Sequence, residues 1–289
     1  MADFGIYRGF SEKLFEGQVP INIGTIGNFS VSDLLLDTYS GAAAAYSLRQ
    51  LSSTSTNAIR VRRLSDNTET NIGFVDNELD TSTLSTFCSG TNGFVTTWYD
   101  QSGNGNDVTQ STASNQPKIY DSVSGVIEDN GKPSVQFDGS NDSFDMASAI
   151  TTSIYSNFAV IKKQITNSVG LTIGLNNGMS IGAWSDGNIY ENNGSSFVYT
   201  PYTNDTNQNL FSVIKSGNNS SDFSANQNGV TLPPFTGSGF NSISFIYIGT
   251  RNVNWFDGNI QEIVIYTSDE SSNRTGIETN INDFYSIYL

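Results

Sequence analysis

Side chains that could bind or react are most concentrated in one ten-residue stretch, Trp98 to Asp107, with the sequence Trp-Tyr-Asp-Gln-Ser-Gly-Asn-Gly-Asn-Asp. It follows a strand-like run over 93–97 and consists largely of turn-forming residues, since Gly adopts positive φ and Asn and Asp bond their own backbone. If the strand continues, its two rings point to opposite faces, so one can pack in the core while the other lines a groove. The stretch predicts either a ligand site or a polar turn.

A carbohydrate is the ligand that suits these side chains. The flat ring of Trp98 or Tyr99 would stack on the C–H face of a sugar, and the polar groups beside it would bind the hydroxyls. The predicted ligand-binding residues are Trp98, Tyr99, Asp100, Gln101, Asn104, Asn106 and Asp107. Asp100 with Asp107 could instead hold calcium, which prefers hard oxygen ligands, and no other cofactor is expected. The alternative is that these groups bond one another and the backbone.

Composition excludes several other kinds of chemistry. The 289 residues include no histidine and one cysteine, Cys88, which excludes a Ser-His-Asp triad, a histidine zinc site and an intrachain disulfide. The net charge of −15 repels phosphate backbones, so nucleic acid is not an expected partner. No apolar run is long enough for a membrane span, and the first residues do not resemble a secretion signal.

The chain is expected to have two parts. Residues 1–31 are apolar without a sustained helix or strand period, which predicts an anchor that docks on another chain, and residues 32–289 form the main domain. Short helices are predicted near 33–37, over the alanine-rich 42–51, at 80–88 and at 271–288. Strands are predicted at 59–64, 93–99, 133–137, 157–162, 169–174, 179–184, 196–200, 209–214, 243–249 and 259–266.

Two arginines lie two residues apart on the predicted strand 59–64. Arg60 and Arg62 would lie on one face of it. In so acidic a chain they are expected to pair with Asp or Glu rather than to bind an acidic glycan.

Two segments resemble one known fold. Lys132 to Asp142, followed by Phe144, resembles the opening strand of laminin-G-like and concanavalin A-like domains, and 248–249 with 256–266 resembles their closing strands. The resemblance implies an all-β fold, a concanavalin A-like jelly-roll β-sandwich. A few short helices and an extended N-terminal anchor segment complete the predicted architecture.

The first half resembles a second family. The segments 45–49, 59–67, 86–88, 99–106 and 109–110 are similar to the catalytic domain of α-L-arabinofuranosidase B, in glycoside hydrolase family 54. That resemblance implies a retaining glycosidase with two carboxyls about 5 Å apart. Glu191 and Asp257 are the best remaining candidates for such a pair. The family's paired-cysteine substrate contact is missing, because Cys88 is alone.

A third resemblance covers the whole chain. The opening run over 4–18, followed by the sandwich, is similar to structural proteins of tailed bacteriophages. It implies a virion surface protein made in the host cytoplasm, such as a fibre, spike or decoration subunit. We expect such a protein to be a homo-oligomer, to contact other virion proteins through residues 1–31 and to bind a host surface glycan. On this interpretation the protein is not an enzyme; the alternatives are an arabinofuranosidase-like hydrolase and a capsid cement protein without a ligand.

Overall fold

The computed structural model describes residues 34–166, 173–174, 178–251 and 254–289. The predicted anchor, residues 1–31, lies outside this described part. Within it, no helix is both long enough and apolar enough to cross a membrane.

Strands make up most of the described chain. The first group is β1 (Ala42–Ser47), β2 (Asn57–Arg63), β3 (Glu69–Val75), β4 (Glu78–Leu79), β5 (Gly93–Trp98), β6 (Val108–Thr109), β7 (Lys118–Asp121), β8 (Gly125–Val126), β9 (Glu128–Asp129), β10 (Lys132–Pro133), β11 (Val135–Asp138), β12 (Phe144–Thr152) and β13 (Tyr155–Lys163). The second group is β14 (Ile173–Gly174), β15 (Gly178–Ala183), β16 (Asn188–Asn193), β17 (Phe197–Pro201), β18 (Gln208–Lys215), β19 (Phe223–Gln227), β20 (Val230–Thr231), β21 (Thr236–Gly237), β22 (Ile243–Ile248), β23 (Thr250–Arg251), β24 (Asn254–Trp255) and β25 (Asp257–Tyr266). The helices are α1 (Leu35–Thr38), α2 (Thr81–Phe87) and α3 (Arg274–Tyr285).

The first sheet is built around β25. Strand β13 pairs antiparallel along one edge of β25, and β18 and β19 follow beyond it. The other edge of β25 is shared by β11, where Val135 pairs with Ile260, and by β1, where Tyr46 pairs with Ile263. Strands β7, β5 and β2 continue this sheet beyond β11.

The second sheet contains β12, β22, β14, β15, β16, β17 and β21 in that order. Strand β6 pairs with both β5 and β12 and so links the two sheets. Apolar side chains from both sheets meet in the main core, including Phe137, Phe144, Phe211 and Phe245. The predicted all-β sandwich with a few short helices is confirmed.

The terminal helix α3 covers the outer face of the first sheet. Its Ile277, Ile281 and Tyr285 pack against Phe158 and Val264 in a second apolar cluster. The helix was predicted from the apolar spacing, since residues three and four apart share one helix face.

The alanine-rich segment is a strand, so the prediction of a helix over 42–51 is wrong. Strand β1 is buried on both faces: Ala44 and Tyr46 face the main core, while Ala42 and Ala45 face the cluster under α3. Small side chains allow both layers to pack closely on β1. This tertiary packing overrides the high helix propensity of alanine.

Candidate active site

A tight turn after β11 holds two carboxyls. Asp138 ends the strand, and its Oδ1 accepts the backbone N–H groups of Ser140 at 2.8 Å and Asn141 at 3.2 Å. Asp142 closes the turn, because its Oδ2 accepts the N–H of Asp138 at 3.0 Å. Gly139 has a φ of +72°, and a Cβ there would lie 2.8 Å from the Cβ of Asp257. The turn therefore requires glycine at this position.

The two carboxyls line a cleft of about 570 Å³. Its walls combine amides, cations and one aromatic ring with the carboxyls. The lining residues are Arg62, Leu64, Asn67, Asn92, Phe94, Ala113, Ser114, Gln116, Lys118, Gln136, Asp138 and Asp142. A concave site with convergent polar groups and an apolar surface is typical of small-molecule and sugar sites.

The carboxyls of this region differ in how readily they ionise. Burial, and then the charge of Asp138, raise the pKa of Asp142 from 3.8 to about 7. The same two causes raise the pKa of Asp257, which stands opposite Asp138 in the pairing of β11 with β25. Near neutral pH, Asp142 can therefore hold a proton beside Asp138. One proton donor next to a carboxylate is the arrangement that acid–base catalysis requires.

Arg62 forms part of the cleft wall. The prediction that it pairs with Asp or Glu is wrong, because its partners are neutral. It is buried, and its guanidinium donates to Gln116 Oε1 at 2.7 Å, Asn67 Oδ1 at 2.9 Å and the carbonyl of Ala113 at 3.2 Å. Its Cζ lies 5.2 Å from the centre of the Phe94 ring. Arg60, by contrast, is exposed and pairs with Glu69 at 2.5 Å, as predicted. The cation of Arg62 thus holds the wall of the cleft through neutral partners.

The predicted loop, residues 98–107, lies along the free edge of β1. Asp100 Oδ1 accepts the N–H of Ala45 at 2.8 Å, and the N–H of Gln101 donates to the carbonyl of Ala45 at 2.8 Å. Gln101 Nε2 also donates to the carbonyl groups of Ser47 and Arg49, each at 3.0 Å. The loop therefore forms hydrogen bonds with the backbone of β1 on the side opposite β25, where a neighbouring strand would otherwise pair.

The loop's amides extend these contacts. Asn104 Nδ2 donates to the carbonyl of Ala42 at 2.9 Å, and Asn106 Nδ2 donates to that of Ala43 at 2.8 Å. Asp107 Oδ1 accepts the N–H of Asp100 at 2.8 Å. The polar side chains concentrated in this loop therefore have structural roles in fastening it to β1 and in bonding the loop to itself.

The two rings of the loop point to opposite sides. Trp98 is fully buried in the main core, so its ring is not available to a sugar. Tyr99 is half-buried, donates its hydroxyl to Asn71 Oδ1 at 2.9 Å, and borders a hollow of about 210 Å³ with Asp100 and Asp107. Sugar binding at this hollow stays a prediction that depends on Tyr99.

Calcium at this loop also stays a prediction. Asp100 already accepts four donors, from the N–H groups of Ala45, Ser102 and Asn106 and from the Ser102 hydroxyl. A calcium ion would have to displace some of these bonds. In the described part of the chain, no group of three or more His, Cys, Asp or Glu side chains is placed to hold a metal.

Glu191 and Asp257 are not brought together. Glu191 is fully buried, where its Oε2 accepts the Tyr155 hydroxyl and its Oε1 accepts the N–H of Ile181 at 2.6 Å. Tyr155 begins β13, and Lys163, at the end of β13, pairs with the residue after Asp257. Tyr155 and Lys163 are eight residues apart on β13, and a strand rises about 3.3 Å per residue, so the two strand ends lie roughly 26 Å apart. Glu191 contacts one end and Asp257 lies beside the other, so their separation is far beyond the distance of about 5–10 Å between the two carboxyls of a glycosidase.

Sequence reasoning missed the Asp138–Asp142 pair because both residues have turn propensity. The available signal was an acidic residue at each end of a glycine turn, directly after a buried strand. Which wall that turn faces depends on β5 and β7, which are distant in sequence.

The chain matches a known family over part of its length. The family model described as "Alpha-L-arabinofuranosidase B, catalytic" matches residues 33–141. This range contains every residue that lines the cleft except Asp142. No curated protein matches the chain.

Several solved structures share the fold. One is an arabinofuranosidase in complex with arabinofuranosyl-α-1,2-xylobiose, with 17% identity and a TM-score of 0.57 over 87% of this chain and 64% of that one. Another is a Glu-to-Gln mutant of a family 54 α-L-arabinofuranosidase soaked with 4-nitrophenyl α-L-arabinofuranoside, with 16% identity and a TM-score of 0.60 over 90% and 66%. A third, soaked with a cyclic sulfate inhibitor, is 18% identical with a TM-score of 0.59. The chain spans about 64–66% of the length of these proteins.

These matches correct the predicted function. The expectation of a virion surface protein, whether fibre, spike or decoration subunit, is wrong, because residues 33–141 match an arabinofuranosidase catalytic domain and the solved structures share the fold of such enzymes. The expectation that the protein is not an enzyme is wrong for the same reason. The fold of the chain is that of the family 54 arabinofuranosidase β-sandwich.

Proposed function

We propose that the chain is an arabinofuranosidase-like glycan hydrolase and that it acts in the cleft lined by Asp138 and Asp142. The observation that carries this proposal is the family match over residues 33–141, which contains nearly the whole cleft. The structural matches support a common fold. By analogy with the ligand bound to the first of them, the proposed substrate is an arabinofuranosyl group on a short xylan chain.

The raised pKa of Asp142 suits it to the role of general acid. Burial beside Asp138 keeps a large share of Asp142 protonated near pH 7. In the proposed reaction its proton passes to the glycosidic oxygen as the bond from that oxygen to the anomeric carbon breaks. The sugar hydroxyl of the remaining chain leaves as a neutral group.

Asp138 is proposed to act at the anomeric carbon. Its carboxylate either attacks that carbon or takes a proton from a water that attacks it. Water supplies the new hydroxyl of the released sugar, and its other proton returns to the carboxyl pair. The amides of Gln116 and Gln136, with the Phe94 ring, provide hydrogen bonds and an apolar surface for the sugar.

Glu191 is the competing candidate for the catalytic carboxyl. Burial raises its pKa from 4.5 to about 7, so it too can hold a proton at neutral pH. Its side chain is fully enclosed, whereas Asp138 is exposed and Asp142, although only 6% exposed, lines the cleft. Access of the substrate therefore favours Asp138 and Asp142.

The test is hydrolysis of 4-nitrophenyl α-L-arabinofuranoside by the full chain and its variants. Asp142→Asn is expected to lower turnover by about 100-fold or more, as for loss of a general acid. Asp283→Asn, on the exposed side of α3, is the matched control and should keep full turnover. Loss of turnover in Glu191→Gln but not in Asp142→Asn would contradict the assignment of the cleft. No turnover by the unmodified chain would contradict the proposed function itself.

A further inference from the structure

Four aromatic rings form a continuous patch beside the hairpin of β16 and β17. The Tyr190 ring is central: its centroid lies 6.2 Å from that of Trp184, 6.0 Å from that of Phe197 and 5.6 Å from that of Tyr199. The centroids of Phe197 and Tyr199 lie 6.2 Å apart. We call these four residues the aromatic platform.

Strand alternation places the platform on the outside of the sheet. Along β17, Val198 and Thr200 are fully buried, while Phe197 is 50% exposed and Tyr199 is half-buried. Tyr199 pairs directly with Tyr190 on β16, so both rings stand on the same face.

Small residues flank the central pair of rings. Gly182 pairs with Tyr190 from β15 and has no side chain to cover the ring. Thr236 pairs with Tyr199 from β21 and is exposed. Across β15, β16, β17 and β21, the rings of Tyr190 and Tyr199 are therefore flanked by Gly182 on one side and Thr236 on the other, and neither flanking residue has a large side chain that could cover them.

A polar group holds the central ring in place. Asp186 Oδ2 accepts the Tyr190 hydroxyl at 2.7 Å, and Asp186 Oδ1 accepts the N–H of Asn188 at 3.0 Å. A ring with its hydroxyl tied at one edge presents its flat face in a defined orientation. This combination of apolar face and polar rim matches the two surfaces of a sugar ring.

The exposed area of the platform and the net charge of the chain limit which ligand the platform can bind. An aromatic side chain has an area of about 150–250 Å², so four partly buried ones expose roughly 300 Å², well below the ~800 Å² per partner of a stable dimer. The net charge of −15 opposes binding to anionic lipid surfaces and phosphate backbones. A neutral polymer with stackable rings and many hydroxyls fits both limits.

We propose that the aromatic platform binds a neutral polysaccharide chain and holds the protein on a polymeric substrate. The inference rests on the proposed function, because it names where a polymer is held during hydrolysis. The platform is distinct from the cleft, whose lining residues lie between 62 and 142. It is also distinct from Glu191, which follows Tyr190 on β16 and is buried on the opposite face.

The experiment is affinity gel electrophoresis of the full chain through soluble arabinoxylan. Phe197→Ala and Tyr199→Ala are each expected to weaken retention by about tenfold, a typical effect of removing one stacking ring. Phe197→Tyr keeps a ring at the most exposed position and should retain binding. Val230→Ala removes an apolar side chain that is 67% exposed elsewhere and serves as the control.

Two further measurements separate the possible outcomes. Hydrolysis of 4-nitrophenyl α-L-arabinofuranoside should be unchanged in the platform variants, since this small substrate needs only the cleft. If the unmodified chain is retained by arabinoxylan but does not hydrolyse the small substrate, the result supports polysaccharide binding at the platform and contradicts the proposed hydrolase activity. If Phe197→Ala and the unmodified chain are retained equally, or if neither is retained, the result contradicts the proposal that the platform binds a polysaccharide. Sedimentation that reveals a dimer lost in Phe197→Ala would also overturn it, by showing a second copy to be the ligand.

Discussion

Asp142 accepts the backbone N–H of Asp138 through its Oδ2 at 3.0 Å, so one five-residue turn holds both carboxyls of the cleft. The turn buries Asp142 and leaves Asp138 exposed, although both belong to one short segment. The difference in burial raises the pKa of Asp142 to about 7. The hydrogen bond fixes the geometry of the pair, whereas burial separates the roles of its members, since the bond by itself lowers the pKa of Asp142.

The first prediction concerns the pH dependence of catalysis. Turnover should fall as the pH rises through about 7, because Asp142 then loses the proton that the leaving oxygen requires. Rates measured with 4-nitrophenyl α-L-arabinofuranoside from pH 4 to pH 9 would check this. A rate that rises steadily above pH 7 would exclude Asp142 as the general acid.

The second prediction concerns the pH dependence of stability. Burial raises the pKa of Glu191 from 4.5 to about 7 in the folded chain, so folding favours its protonated form. Its contribution to stability is complete below about pH 4.5 and is lost as the pH rises through 7; Asp142 acts in the same direction. For Glu191 alone, the free energy of unfolding should fall by about 2 kcal/mol between pH 5 and pH 9.

Urea unfolding at a series of pH values measures this effect. Glu191→Gln removes the titrating group, and its stability should change less with pH than that of the unmodified chain. A free energy of unfolding that stays constant or rises between pH 5 and pH 9 would show that Glu191 ionises freely in the folded state.

The third prediction concerns the buried ion pair between Arg49, two residues beyond β1, and Glu262 on β25. Arg49 contacts both carboxylate oxygens of Glu262, at 2.7 and 2.9 Å, and both side chains are buried. Arg49→Met should lower the free energy of unfolding by about 3–5 kcal/mol, because it leaves a buried carboxylate without its cation.

The exposed pair of Arg60 with Glu69 provides the control for this change. Arg60→Met should lower stability far less than Arg49→Met does, since water screens an exposed pair. Equal losses in the two variants would mean that burial does not decide the strength of the Arg49 pair.

The fourth prediction concerns the loop along β1. Asp100→Ala removes an acceptor of four hydrogen bonds and should lower the free energy of unfolding by about 2–4 kcal/mol, at roughly 1 kcal/mol for each bond lost. Asp283→Ala, on the surface of α3, should have little effect.

Variants at Asn104 and Asp107 separate a structural loop from a binding loop. If the loop only fastens β1, Asn104→Ala and Asp107→Ala should lower the melting temperature, and glycan binding should fall only as stability falls. Weaker binding at an unchanged melting temperature would instead support a sugar site beside Tyr99.

Local patterns predicted several strands of the second half, but not β12, β16 or β19, and most of the predicted strand 169–174 lies outside the described residues. The predicted strand 209–214 is observed as Gln208–Lys215, and 259–266 is observed as Asp257–Tyr266. Alternation of burial and flanking turn residues are both readable in a short window of sequence. Such signals depend little on the rest of the chain.

Features that depend on distant contacts could not be predicted in this way. Ala42–Ser47 becomes a strand because β25, the 98–107 loop and α3 together enclose it. Arg62 has amide partners because β7 and its preceding loop bring Gln116 alongside it. The cleft likewise joins residues as far apart as Arg62 and Asp142, and no local window contains both.

The central claim is that the cleft hydrolyses an arabinofuranosyl glycan. Its most direct test is chromatographic measurement of arabinose released from arabinofuranosyl-α-1,2-xylobiose by the full chain and by Asp142→Asn. The account predicts equal amounts of arabinose and xylobiose from the full chain, and about 100-fold slower release from a folded Asp142→Asn variant. Intact substrate after prolonged incubation with the folded full chain, or equal release by the two proteins, would contradict it.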